Sequence, residues 1–440
     1  MLLRNALLAT LDPPDSPRVA SGDLRIEGGT ITERAPGLAA RPDEETIELT
    51  GAPVLPGLVN AHTHLYSALA RGMPGPKEPP RGFLEILERV WWRLDRALDE
   101  EAVALSGLAG AIDAALSGVT LVVDHHASPS AIPGSLDALR RAVEEVGLRS
   151  VLCYEVTDRN GPEGRDLGLE ESRRFLAGGP TPLTRGMVGG HASFTLSEET
   201  MERLGALVDE TGAPFHIHVA EDTADVEDCW ERYDTGLVQR LGGHGLLRPS
   251  TILAHGVHLE ASELDVAQSR GCWLAHNPRS NMNNDVGYAS TDAFRQAALG
   301  TDGMDGDILA EARVCFLRMR EAGRDDAMEA TLHLLTGGHR LAAALFERPF
   351  GTLDAGAPAD LVVLDYPSPT PLHDGNLAGH LLFGIDRSHV RSVMVEGRWV
   401  VLDRSVVTVD AEAVFARARE AAPRLWRRMT ELAPTRGPAG

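Results

Sequence analysis

The sequence predicts an α/β protein: a (β/α)8 TIM barrel with a small discontinuous β-sandwich domain built from both chain ends. Three observations carry this prediction. Short apolar runs alternate with longer helical patterns between about residues 59 and 345. Turn-rich segments with alternating polarity precede and follow that region. The length of 440 residues also exceeds what one hydrophobic core usually serves.

Eight apolar runs are the candidate barrel strands. Between them lie segments such as GSLDALRRAVEEVG, which has a helical period of about 3.6 residues and ends at a glycine. Eight strands that are each followed by a helix or loop favour a closed parallel barrel over an open sheet. In chain order the runs are LVNAH, VTLVVDHH, RSVLCYEV, GMVGGHAS, PFHIHVA, TILAHGV, CWLAH and AALGTD.

The two ends of the chain have similar strand-like sequence patterns. LRIEGGTITE alternates around a Gly-Gly pair, which is a hairpin signal, and strand-like patterns return after Phe350. Because chain termini often lie close together, we expect both ends to form one small domain. The predicted divisions are 1–58, first part of the β-sandwich; 59–348, barrel; and 349–440, second part of the β-sandwich with a C-terminal amphipathic helix.

Composition excludes several classes of partner. The formal net charge of −22 disfavours nucleic acid and anionic membranes. The four cysteines are scattered and form no C-x-x-C pair, so a disulfide framework or thiolate zinc site is not expected. The sequence also has neither a signal-peptide pattern nor the roughly 20 uninterrupted apolar residues of a membrane span. These features predict a cytoplasmic protein.

Histidine pairs at strand ends indicate a metal site. In VLPGLVNAHTHLY, His62 and His64 are two residues apart at the end of an apolar run, so both imidazoles point to one face. In FHIHVAE, His216 and His218 repeat the arrangement. Neutral imidazoles on one strand face form part of a site for zinc, iron or manganese. A hydrogen-bonded barrel histidine is the alternative for any single pair.

Other polar residues follow the later strands. Glu221 comes three residues after His218 and could reach over the barrel mouth to exchange protons with a substrate. TILAHGVHL places His255 at a strand end, and AALGTDGMD places Asp302 at the last one. An aspartate there suits both metal ligation and accepting a proton from a metal-bound water. Barrel enzymes keep their sites at these carboxyl ends of the strands.

The motifs VLPGLVNAHTHLY, HIHVAE, LAHGVHL, SNMNN and LGTDG resemble the amidohydrolase superfamily in order and spacing. The similar branch is the chlorohydrolase/cytosine-deaminase-like (ATZ/TRZ) group. Within it, PPRGFLEILERVWWRLDRAL, LVVDHHASPSAIPGSLD and HNPRSNMNNDVGYA resemble SsnA-type aminohydrolases. The resemblance covers essentially the full chain, including the split β-domain.

The resemblance implies a role for each matching residue. His62, His64, His218 and Asp302 match the metal ligands. Glu221 matches the proton-shuttling carboxylate, and His255 matches the histidine that hydrogen-bonds the hydroxide or the substrate.

Substrate contacts are the less specific part of the resemblance. His191 matches a substrate-contacting histidine, and a supporting structural role is its alternative. Glu85 falls where related enzymes place a substrate-binding residue. Asn281 is a candidate to hydrogen-bond the edge of a heterocyclic substrate. The alternative is that its amide only stabilises the local turn. One of His125 and His126 could also face the pocket.

The lysine content decides the type of metal centre. Two-metal relatives bridge their ions with a carboxylated lysine on strand 4, and this chain has only Lys77, in the loop after strand 1. Composition therefore excludes a lysine-bridged binuclear centre. We expect one divalent metal ion per chain, with zinc favoured and iron or manganese open.

The expected function is metal-dependent aminohydrolysis, by deamination or C–N cleavage, of a nitrogen heterocycle that the resemblance makes purine-related. The alternatives are ring opening of a cyclic amide, chlorohydrolysis of a triazine-like ring, and a non-catalytic metal-binding scaffold. Homodimers are common among related enzymes, but no pattern in this sequence demonstrates one.

Overall fold

The structure is a computed structural model that describes residues 1–11, 13, 16–293 and 295–433. Its strands are β1 (Leu2–Thr10), β2 (Arg18–Glu27), β3 (Thr30–Ala35), β4 (Thr46–Glu48), β5 (Pro53–Pro56), β6 (Leu58–Thr63), β7 (Val119–His126), β8 (Arg149–Val156), β9 (Thr184–Gly186), β10 (Val188–Ala192), β11 (Phe215–Val219), β12 (Ile252–His255), β13 (Trp273–His276), β14 (Ala297–Leu299), β15 (Leu361–Leu364), β16 (Val390–Val395), β17 (Arg398–Leu402) and β18 (Ser405–Val406).

The helices alternate with these strands through the middle of the chain. They are α1 (Phe83–Ile86), α2 (Trp92–Ala97), α3 (Glu100–Leu116), α4 (Ser135–Val146), α5 (Gly161–Ala177), α6 (Glu198–Thr211), α7 (Thr223–Tyr233), α8 (Leu237–Gly243), α9 (Ala261–Ser269), α10 (Pro278–Asn283), α11 (Ile308–Glu321), α12 (Ala327–Phe346), α13 (Leu377–Phe383) and α14 (Ala411–Glu431). None of the helices in the described ranges is long and apolar enough to cross a membrane.

The barrel consists of parallel strands in the order β6-β7-β8-β10-β11-β12-β13-β14, and the short β9 pairs with β8. Strand β14 leads back to β6, where the amides of Thr301 and Asp302 donate to the carbonyl oxygen of His62 (2.9 and 3.0 Å). All residues of β7 and β8 are buried, as expected for strands covered by the barrel interior on one side and helices on the other. The eight predicted runs therefore form the predicted barrel.

The second unit is a sheet with strand order β18-β17-β16-β15-β5-β1-β2-β3, in which β4 pairs with β1. Both chain ends contribute, because β5 pairs with β15. The predicted hairpin joins β2 to β3 through Gly28 and Gly29, whose φ values of 55° and 79° suit a two-residue turn that non-glycine residues rarely adopt. We propose the divisions 1–58, 59–348 and 349–440 for the two units.

Polar contacts tie the added elements to the barrel. Arg149 of β8 is fully buried and pairs with Asp360 just before β15, with Nε and Oδ2 2.6 Å apart. Helix α14 packs on the barrel side, where Trp426 donates to the carbonyl oxygen of Leu69 (2.9 Å) and Arg428 donates to that of Ala97 (2.8 Å). Helix α14 is thus a packed surface helix.

Candidate active site

Four side chains converge at the carboxyl end of the barrel. One donor atom from each of His62, His64, His218 and Asp302 lies within 4.8 Å of the others. Asp302 Oδ1 is 2.9 Å from His64 Nε2 and 3.4 Å from His62 Nε2, and the Nε2 atoms of His64 and His218 are 3.2 Å apart. The residues are at most 9% exposed. The structure therefore brings together the four groups that the sequence assigned to a metal.

Local backbone geometry places these side chains. The pairing of β6 with β7 shifts register between Asn60 and Thr63, just where His62 and His64 enter the barrel mouth. Asp302 has a positive φ of 53°, an uncommon conformation for a residue with a side chain. At Gly300 any Cβ would lie 2.8 Å from that of His62, so only glycine allows β14 to approach β6 this closely.

The imidazoles are oriented as metal ligands are. Nδ1 of His64 donates to the carbonyl oxygen of His125 (2.5 Å), and Nδ1 of His218 donates to that of His191 (2.9 Å). Nδ1 of His62 lies 2.9 Å from Nε2 of His216. These contacts direct each Nε2 atom toward the shared centre, which is the usual arrangement around a metal-bound histidine.

The electrostatics of two of the three histidines fit a divalent ion, whereas at His64 burial is outweighed by Asp302 and the pKa rises to about 9. Burial lowers the pKa of His62 to about 3, and burial with neighbouring imidazoles lowers the pKa of His218 well below its usual value. Such rings stay neutral and keep the lone pair that a metal needs. Nε2 of His62 is buried without a hydrogen-bond partner among the described residues. Three nitrogen donors and one carboxylate suit a divalent transition metal.

Glu221 and His255 lie beside the four-residue cluster. Their Oε2 and Nε2 atoms are 3.5 Å apart, and Asn284 donates to the other carboxylate oxygen of Glu221 (3.1 Å). Burial raises the pKa of Glu221, so this carboxyl group takes up a proton more readily than one in water. Ser280 donates from its hydroxyl to Oδ2 of Asp302. The site thus contains both a depressed and a raised carboxyl pKa. Burial raises the pKa of Asp302, but the adjacent imidazoles of His62 and His64 lower it more, so that it lies well below its usual value.

The cavity over this centre is acidic and aromatic. Its described lining residues are His64, Tyr66, Phe83, Leu87, Trp91, Trp92, Asp95, Glu155, His191, Ala192, Phe194, His218, Glu221, Asp222, Asp225, Asn284, Asp302 and Gly303. Aromatic side chains give a flat ring both contact area and stacking partners.

A second group of charges borders the same cavity. Arg159 Nη2 is 3.0 Å from Asp95 Oδ2 and 2.9 Å from Glu155 Oε1. Glu155 Oε2 also lies 3.4 Å from His125 Nδ1, and its Oε1 lies 3.8 Å from His191 Nε2. All of these side chains are buried. The cluster of Asp95, Glu155 and Arg159 is called the acidic subsite below.

Three sequence-predicted substrate residues lie in different surroundings. His191 lines the cavity, and its Nδ1 lies 2.8 Å from the Thr195 hydroxyl. Asn281 is 2% exposed and accepts a hydrogen bond from His255 Nδ1 at 2.8 Å, so its carbonyl group orients that ring. Glu85 is outside the described cavity lining, where it accepts from the amide of Arg81 (2.7 Å) and pairs with Arg89 (3.0 Å).

The remaining histidines of the barrel mouth lie behind the cavity. His216 is fully buried below His62, and His125 Nε2 donates to the carbonyl oxygen of Gly190 (3.0 Å). His126 is within 2.9 Å of the Ser128 hydroxyl. Neither His125 nor His126 belongs to the described lining of the cavity.

Sequence reasoning missed the acidic subsite and Ser280. Glu155 could have been found, because Val151 and Cys153 belong to the buried barrel core and the period of two along β8 carries Glu155 to the same face. Asp95 lies on a short helix without strand periodicity, and its only signal was its position within the motif PPRGFLEILERVWWRLDRAL. Ser280 lay within the quoted motif HNPRSNMNN.

Known proteins share this architecture over nearly the full chain. The chain is 29% identical over 443 residues to a 5-methylthioadenosine/S-adenosylhomocysteine deaminase of Desulforudis audaxviator, covering 97% of this chain and 99% of that one. It is 30% identical over 439 residues to a 5'-deoxyadenosine deaminase of Methanosarcina acetivorans, covering 97% and 98%.

Solved structures give the same result for the fold. An adenosine deaminase from Xanthomonas campestris with bound zinc superposes with a TM-score of 0.85 at 24% identity, covering 98% of both chains. A zinc complex of atrazine chlorohydrolase from Arthrobacter aurescens gives 0.81 at 22% identity, covering 96% of this chain and 100% of that one. The family pattern described as the amidohydrolase family matches residues 54–400. This chain therefore belongs to the amidohydrolase family.

Proposed function

We propose that this protein is a metal-dependent aminohydrolase that deaminates a purine-related heterocycle. The observation that carries the proposal is the joint placement of four metal donors, Glu221 and His255 at one cavity. The names of the full-length relatives support a purine nucleoside as the substrate. All four cysteines are free, which supports a reducing compartment such as the cytoplasm.

The proposed cofactor is one zinc ion held by His62, His64, His218 and Asp302. A bound divalent ion supplies Lewis-acid activation of water at neutral pH. Strand β10 contains no lysine, so a lysine carboxylate that could bridge two ions is absent from that strand. The zinc in the two neighbouring structures supports this choice of metal.

The residues around the centre have complementary proton-handling roles in this proposal. Asp302 accepts a proton from the attacking water while Ser280 holds its second oxygen. Glu221 receives a proton and delivers it to the departing nitrogen, because burial favours its protonated form. His255, oriented by Asn281, stabilises the negative charge that develops on the attacking oxygen. The atoms balance as water plus a ring C–NH2 giving a ring carbonyl and ammonia.

Binding of the ring depends on the other cavity walls. Phe83, Trp91, Trp92 and Phe194 surround it with aromatic surface, and His191 offers a polar contact. Burial lowers the pKa of His191 to about 3, so its imidazole is neutral and can contact a ring nitrogen without adding charge.

The test is ammonia release by the metal-loaded protein with adenosine, 5'-deoxyadenosine, 5'-methylthioadenosine, adenine, guanine, cytosine and triazines, with metal content determined on the same sample. We expect turnover of a purine compound and about one ion per chain. Ring opening without ammonia, chloride release from a triazine, or no turnover by fully metallated protein would contradict the proposal.

A further inference from the structure

The cavity carries far more acidic than basic character. Six of its lining residues are carboxylates, and none of the described lining residues is arginine or lysine. Asp302 belongs to the metal centre and Glu221 to proton transfer. Asp222 and Asp225 accept hydrogen bonds from backbone amides. Asp95 and Glu155, the carboxylates of the acidic subsite, have no role in the proposed chemistry.

Arg159 neutralises the acidic subsite only in part. Its guanidinium serves both carboxylates through Nη2, and it stacks on Trp92 with Cζ 4.7 Å from the ring centroid. One cation beside two carboxylates leaves a net negative charge when the nearby histidines are neutral. Burial raises the pKa of Asp95 to about 6 despite Arg159, as expected for a carboxylate with incomplete compensation.

The Asp95 carboxylate, whose pKa the backbone amide of Arg96 helps to lower, has one oxygen without a hydrogen-bond partner among the described residues. Asp95 is 2% exposed and lines the cavity, yet its Oδ1 atom is buried without a hydrogen-bond partner among the described residues. Nε1 of the adjoining Trp92, which is 1% exposed, is equally without a described partner. Buried polar atoms are normally paired, so an unpaired acceptor on a cavity wall indicates a ligand atom.

We propose that Asp95 is a specificity residue that accepts a hydrogen bond from an N–H or O–H group of the substrate remote from the reacting carbon. Arg159 holds the carboxylate in place through Oδ2, which leaves Oδ1 for the ligand. The substrate class is therefore a neutral or cationic amino-heterocycle with an additional donor, either a second ring amino group or a sugar hydroxyl. A phosphate or carboxylate at that end is repelled. This inference rests on the proposed deamination.

The experiment compares Asp95→Asn with wild type on two matched substrate pairs. 2,6-Diaminopurine and adenine differ in an amino group, and adenosine and 2',3'-dideoxyadenosine differ in hydroxyl groups. A hydrogen bond to a charged group is worth enough that we expect roughly a 10- to 100-fold fall in kcat/KM for the donor-bearing member of one pair. Its partner should change less than about threefold by the same reasoning. Glu100→Gln, an exposed change at the start of α3, is the charge-matched control.

A role of Asp95 limited to pairing with Arg159 gives a different result. Both members of each pair then lose activity equally, together with a lower melting temperature, and this outcome overturns the inference. The pair that responds identifies the donor as N–H or O–H. No response from either pair also overturns it.

Binding measurements separate this inference from the proposed function. If wild type releases no ammonia from any of these compounds, deamination of them fails. Calorimetric binding of the same pairs to metal-loaded wild type and Asp95→Asn then tests Asp95 directly. A donor preference that Asp95→Asn removes supports the inference, and equal affinities of wild type for both members overturn it. The wild-type comparison also decides the matter if the variant does not fold.

Discussion

Replacement of Glu221 by glutamine keeps the shape of the side chain and removes its ability to carry a proton. Glu221 is 9% exposed, and its carboxylate lies 3.5 Å from His255 Nε2 and accepts from Asn284 at 3.1 Å. A glutamine can keep the contact with Asn284 through its carbonyl oxygen. The change therefore tests proton transfer more than packing.

The expected loss follows from the chemistry of that step. General acid–base catalysis contributes about 10²- to 10⁴-fold, which corresponds to roughly 2.7–5.4 kcal/mol of activation free energy. We expect kcat of Glu221→Gln to fall by that factor with a smaller change in KM. Stability should not fall, because burial already disfavours the charged form of Glu221.

The assay is steady-state ammonia release, with metal content and melting temperature measured on the same preparation. Glu227→Gln, an exposed change on α7, is the matched control and should keep wild-type activity. A Glu221→Gln enzyme that is fully metallated, folded and within about fivefold of wild-type kcat would refute the proton-transfer role, because the predicted effect starts at about 10²-fold.

Other changes test the metal centre and its supports. Asp302→Asn should lower kcat by at least about 10³-fold while circular dichroism shows a folded protein, and retained turnover would refute its role as a proton acceptor. Chelation should lower the melting temperature reversibly, because an ion at 100 times its Kd stabilises the folded state by about 2.7 kcal/mol. Equal melting curves with and without metal would argue against a bound ion. Asn281→Leu should reduce kcat more than metal content, because it removes the hydrogen bond that orients the His255 ring. A parallel loss of kcat and metal content would instead place Asn281 at the metal. Burial raises the pKa of Asp225 to about 7 in the folded state, against about 4 in the unfolded state. Between these two pH values the folded protein holds a proton on Asp225 that the unfolded chain has lost. The stability that this protonation contributes is therefore lost as the pH rises from about 4 to about 7. The unfolding free energy of wild type minus that of Asp225→Asn should fall over that range by at most about 4 kcal/mol, and a flat difference would contradict the shift.

The sequence by itself determined the parts of this protein that depend on local spacing. Barrel strands are recognisable because each is a short buried run, and β7 and β8 begin and end at the predicted residues. Residues two apart on a strand share a face, so the spacing predicted the pairs His62/His64 and His216/His218, and the family resemblance singled out His218 from the second pair. The carboxyl ends of parallel strands meet at one mouth, so these histidines and Asp302 had to be neighbours once the barrel closed.

Only the tertiary structure decided which loop and helix residues reach the cavity. Glu85 and Asp95 both lie on short helices after β6, the first barrel strand. Asp95 lines the cavity, whereas Glu85 pairs with Arg89 and is outside the described lining of the cavity. In the motif SNMNN, Asn281 supports His255 whereas Asn284 contacts Glu221. The physical reason is that a strand residue's direction follows from its own backbone period. The direction of a loop or short-helix residue depends on packing against distant segments, such as that of Asp95 against Arg159.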